Sequence, residues 1–142
     1  MIEAELLSPE TQPMTVPLPH DAAQPLARDP DREVRITVAQ RLPEASLFSL
    51  AGDPDYPAFT RVIWNAHVAE MSDLGRADRD ELMRVVLAVE EAQRASLSPD
   101  KVNLASFGNV VAHLHWHVVP RWRDDRHFPE PVWGRPASGR DP

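Results

Sequence analysis

His113-Leu114-His115-Trp116-His117-Val118-Val119, inside the longer run KVNLASFGNVVAHLHWHVVPRW from Lys101 to Trp122, decides how this chain is read. Side chains alternate faces along a strand, so in an extended segment His113, His115 and His117 share one face while Leu114, Trp116 and Val118 fill the other. Such a segment is a polar edge backed by core. Next-nearest side chains on a strand lie roughly 6.5 to 7 Å apart, a span that matches a phosphate group and its substituents. A neutral imidazole can attack phosphorus at neutral pH while a protonated neighbour stabilises charge or protonates the leaving group. Gly108-Asn109, just upstream, lets the backbone approach an anion and adds a neutral amide donor. A metal centre is the chief competitor, because histidine is a frequent zinc ligand. Three same-face positions in a row form a line rather than a tetrahedral cap, and no nearby carboxylate is obviously placed as a ligand.

Outward from this row, Lys101 to Ser106 reads as a strand, Phe107-Gly108-Asn109 as a break, and Val111 to Arg121 as the next strand. Upstream, Asp78 to Ala95 has helical period, with Leu82, Val85, Val86, Val89 and Ala92 on one face and Glu81, Arg84, Glu91 and Arg94 toward water. Ser98-Pro99-Asp100 ends it. Ser46 to Ala51 and Phe59 to Trp64 read as strands of a hairpin across the Gly52 to Pro57 turn. Val34, Ile36 and Val38 alternate with Arg35, Thr37 and Ala39, which predicts one more short strand. The sum is an α+β domain: an antiparallel five-stranded sheet, one main helix, a Pro-rich N-terminal arm and an irregular C-terminal tail. The expected divisions are an arm over 1–32, a domain over 33–133 and a flexible tail over 134–142.

Composition narrows the partners. The chain has 142 residues, is 42% hydrophobic and carries a net charge of −7, which fits one buried core and opposes binding to a nucleic acid polymer. A small nucleotide needs only local positive charge. No run approaches the length of a membrane span and no leader pattern opens the sequence, so a cytoplasmic location is expected. Cysteine is absent, which removes disulfides, thiol catalysis and thiolate metal sites. His20 and His127, each alone, are expected to be ordinary surface or core histidines.

The Lys101 to Trp122 segment resembles the signature of the histidine triad (HIT) family of nucleotide hydrolases and transferases, His-x-His-x-His followed by two apolar residues, and matches it at all seven positions. The likeness extends more weakly over Ser46 to Trp133 and is closest to the bacterial branch akin to diadenosine polyphosphate hydrolases and fragile histidine triad enzymes. It implies that His115 attacks the α-phosphorus of a purine nucleotide or dinucleoside polyphosphate to give a covalent nucleotidyl-histidine. His117 would contact the phosphate oxygens and His113 would hold the array in register. Asn103, Asn109 and His67 match family positions that contact nucleotide or face the site, with Gly108 beside them. The resemblance further implies a homodimer with no catalytic metal and no cofactor, and it places Trp133 near the site. Val110 stands where many members carry Ser or Thr, and Ala112 where relatives often have proline. A nucleotide-binding module that keeps the fold without catalysis is the alternative expectation, followed by a His-ligated metal hydrolase.

Overall fold

The computed structural model describes residues 29–41 and 48–139. Most of the arm, with His20, and the end of the tail lie outside the described residues. Elements run in the order α1 (Pro30–Arg41), β1 (Phe48–Leu50), β2 (Thr60–Ile63), a 3-10 turn (Met71–Asp73), α2 (Arg76–Leu97), β3 (Lys101–Ala105) and β4 (His115–Arg121). The strands form one antiparallel sheet in the order β1-β2-β4-β3. The α+β class therefore stands, with four strands rather than five and two α-helices rather than one among the described residues.

The missing strand became α1. Val34 and Val38 are fully buried while Ile36 between them is exposed, so the spacing that matters is i, i+4 rather than alternation. The start signal is local. Asp29 accepts the backbone N–H of Arg32 at 3.3 Å, and Pro30 occupies the first helical position, where its missing N–H costs nothing. Val34 and Val38 join Leu82, Val85, Val86, Val89 and Ala92 of α2, Val62 and Val118 of the sheet and Leu114 just before β4 in the main core. α2 thus covers one face of the sheet, and α1 packs against α2.

Gln93 ties α2 to the sheet. Fully buried, it donates through Nε2 to the carbonyls of Ala58 (2.9 Å) and Val118 (3.0 Å). Ala58 has φ +61°, a conformation that strains a non-glycine residue, and its N–H is held by Asp31 of α1 at 2.6 Å. The turn before β2 is thereby fixed from both helices, and the register of β2 against β4 follows from it. α2 ends at Ser98, whose φ of 49° and N–H to the Arg94 carbonyl close the last turn.

The opposite sheet face carries the chemistry. Cross-strand pairing puts Ala105, His117, Arg61 and Ser49 in one row across all four strands. Among the described residues no helix or strand follows β4, yet the chain returns over this face and packs Val132 on Tyr56, Phe59 and Val119.

Candidate active site

β4 begins at His115, four residues later than the sequence suggested, so the three histidines do not share one extended strand. His113 precedes the strand, where Leu114 N–H bonds the Val68 carbonyl (2.8 Å) and the Leu114 carbonyl accepts from Trp64 N–H (3.1 Å). The bend turns His113 toward the loop after β2. Its Nε2 donates to the Trp64 carbonyl at 2.5 Å. A neutral ring has only one N–H, so Nδ1 of His113 is an acceptor and takes the hydrogen bond from Nδ1 of His67 at 3.3 Å.

His115 is held through the same residue by a different atom. Its Nδ1 lies 2.6 Å from the His113 backbone carbonyl. A carbonyl only accepts, so the proton sits on Nδ1 and Nε2 keeps a free lone pair. The His115 carbonyl in turn accepts from the Ser106 hydroxyl at 2.7 Å. The ring is half-buried and lines a cleft of about 470 Å³ with Arg61, Phe107, Gly108, Asn109, His117 and Trp133. Gly108, at φ +70°, takes the left-handed conformation that glycine allows without strain.

His117 is 9% exposed. Its ring meets His115 edge-on at 4.9 Å between centroids, Trp133 at 4.9 Å and Phe59 at 5.7 Å. Burial, with the neighbouring His115 and Arg61, holds its pKa down at about 4, so the ring is neutral at physiological pH. Nδ1 of this ring has no hydrogen-bond partner among the described residues. A depressed histidine pKa means that the unfolded chain takes up a proton that the folded chain refuses. Between about pH 6.5 and 4 His117 therefore weakens the fold as pH falls. Urea midpoints are expected to drop from pH 7 to pH 4.5, and the drop to shrink in His117→Gln. Superimposable profiles for the two proteins would count against it.

The cleft thus unites His115, His117, Gly108 and Asn109. His113 and His67 stand behind it as a pair, ring centroids 5.4 Å apart. Asn103 is elsewhere: it lines an adjoining groove with Lys101, Phe107 and Trp133, and its Oδ1 is taken by Arg121 at 2.8 Å. Arg61 went unnoticed in the sequence, since only the register that sets it opposite His117 reveals it. His127 is a satisfied core histidine, buried with Nδ1 2.5 Å from the Tyr56 hydroxyl. Among the described residues no group of three His, Cys, Asp or Glu side chains could hold a metal ion. Nor is any helix among them long and apolar enough to cross a membrane.

A four-stranded antiparallel sheet backed by two helices, with a histidine-lined cleft on its other face, defines an α+β protein of a recurrent type. The family model for the HIT domain matches residues 33–124. A histidine triad protein from Bradyrhizobium japonicum is 30% identical with a TM-score of 0.58, over 63% of this chain and 69% of that one. Another, from Sinorhizobium meliloti, is 27% identical with a TM-score of 0.58, over 67% and 70%. No curated protein matches. The chain belongs to the histidine triad family, a superfamily of nucleotide-binding proteins and hydrolases.

Proposed function

We propose that this protein is a nucleotide hydrolase that cleaves at the α-phosphate of a purine nucleotide or dinucleoside polyphosphate, with His115 as nucleophile. The observation that carries it is the 2.6 Å contact of His115 Nδ1 with the His113 carbonyl, which leaves the Nε2 lone pair ready for attack. Nε2 forms the bond to phosphorus as the bond to the leaving phosphate oxygen breaks, and a proton from solvent satisfies that oxygen, since His117 is neutral at physiological pH. Water then attacks the same phosphorus and releases His115. Charge developing on the non-bridging oxygens is met by Arg61, the Gly108 and Asn109 backbone and the Asn109 amide, all around one cleft.

His67 acts indirectly, by orienting His113, and Asn103 contributes to the adjoining groove. The enzyme works as a homodimer in the cytoplasm without a metal or other cofactor. Support for the dimer comes from β3, an edge strand that exposes Leu104 beside exposed Phe107.

Brief incubation with dinucleoside polyphosphate labelled at the α-phosphate, quenched in alkali, is expected to trap a label on His115 that acid removes, since phosphoramidate bonds are acid-labile. Turnover at full rate with no trapped adduct at any time point would remove the covalent step.

A further inference from the structure

A buried ion pair lies on the same sheet face as His117 but lines no part of the cleft. Arg121 and Asp125 have side chains 2% and 5% exposed. Arg121 stands four residues beyond His117 on β4, roughly 13 Å along the strand. Its guanidinium bonds both carboxylate oxygens of Asp125 (2.8 and 3.0 Å), Oδ1 of Asn103 on β3 (2.8 Å) and the Glu130 carbonyl (2.8 Å). The rings of Tyr56 and Phe128 flank it at 5.7 and 5.5 Å. Asp125 also accepts the backbone N–H groups of Trp122, His127 and Phe128. Residues 122–130 are thus pinned to the sheet by one fork of donors.

From Glu130 the chain makes a turn in which Gly134 N–H meets the Pro131 carbonyl at 2.8 Å. That turn delivers Trp133 to His117 at 4.9 Å and to Phe107 at 5.0 Å. Ala137 N–H then returns to the Arg126 carbonyl at 2.8 Å, so Trp133 is held from both sides by the pinned segment. A buried ion pair adds little net stability over an apolar filling of the same shape. What an apolar filling cannot do is bind acceptors on three separate stretches of chain in fixed directions.

We propose that Arg121 and Asp125 are positioning residues for the reaction centre: they hold the C-terminal segment on the path that keeps Trp133 against His117, without touching substrate. The proposal rests on the reading of the cleft as the site of nucleotide hydrolysis. Trp133 covers one side of His117, and the other charged or titratable groups acting on that ring are His115 on the same strand and Arg61 on β2. Losing the clamp therefore rewets His117.

The test uses the full chain, well below each variant's melting temperature, with two readouts: the NMR titration of the His117 ring, and kcat and KM for a dinucleoside polyphosphate. Trp133→Ala should raise the His117 midpoint from about 4 toward the ordinary 6.5. Arg121→Lys, which keeps the charge and loses the fork, and Asp125→Asn should raise it likewise. Their kcat/KM should fall roughly tenfold, the kind of loss a remote misplacement produces. Trp133→Phe should restore most of both. A folded Arg121→Lys protein with a lower Tm but unmoved titration and kcat/KM overturns the proposal. Gly134→Val leaves the ion pair alone and puts a Cβ 3.2 Å from the Pro131 carbonyl, a contact relieved by a few tenths of an ångström of movement, so a smaller rise in the same direction is expected there. An unshifted His117 in Trp133→Ala, a substitution that spares the ion pair, is equally fatal. Absence of hydrolysis in the wild type defeats the functional reading instead, while the titration still tests the clamp.

Discussion

His115→Ala is expected to lower kcat by at least about a thousandfold, in line with what removal of a covalent nucleophile costs, while nucleotide affinity changes by only a few-fold. The contrast follows from where the groups lie. Arg61, Gly108, Asn109 and His117 remain around the cleft when the imidazole at 115 is removed, so the phosphate keeps its holders and loses its attacker. Only an interaction made as the new bond forms should disappear. Equilibrium binding of a non-hydrolysable analogue, set beside single-turnover rates, separates the two. Residual turnover within about tenfold of wild type would show that water attacks directly and that His115 merely binds.

Asp125→Ala is expected to have the largest effect on stability, about 3–5 kcal/mol, because it strands one charge of a buried pair. The loss is compound. Arg121 keeps its contacts to Asn103 and Glu130 but has no carboxylate to meet Nε, and three backbone N–H groups lose their acceptor. Burial alone would raise the Asp125 pKa, yet the Arg121 fork and those N–H groups overcome it and hold the carboxyl at about 2. A depressed carboxyl pKa stabilises the fold above the unfolded value near 3.8 and loses that contribution as pH falls through about 2. Urea unfolding at pH 7 gives the main effect. A change under about 1 kcal/mol would show that water reaches Arg121 freely, contrary to its burial.

The sequence showed the face of α2 well because Leu82, Val85, Val86, Val89 and Ala92 follow one period over about three turns. It misread 34–39 because six residues fit both a strand and a short helix. Asp29-Pro30 and the Val34/Val38 pair settle the matter only when a packing surface on α2 is known. The histidine row pointed to the cleft without its backbone. Periodicity ran the strand back to Val111, whereas pairing with β2 ends at Ile63 and His115, and the chain upstream bends to meet Val68. Arg61 and the Arg121–Asp125 clamp were invisible for the same reason: each depends on which residues lie side by side across strands or turns. The tail looked shapeless because its order comes from side-chain acceptors rather than from a repeat.

The atom that fixes the tautomer of His115 belongs to the main chain of residue 113. Every amino acid offers that same oxygen, so the first histidine of the triad does not orient the second through its imidazole. What its ring supplies is an anchor to Trp64, which keeps the peptide bent enough to aim the oxygen inward. Division of labour within the triad therefore runs between backbone and side chain as much as between residues.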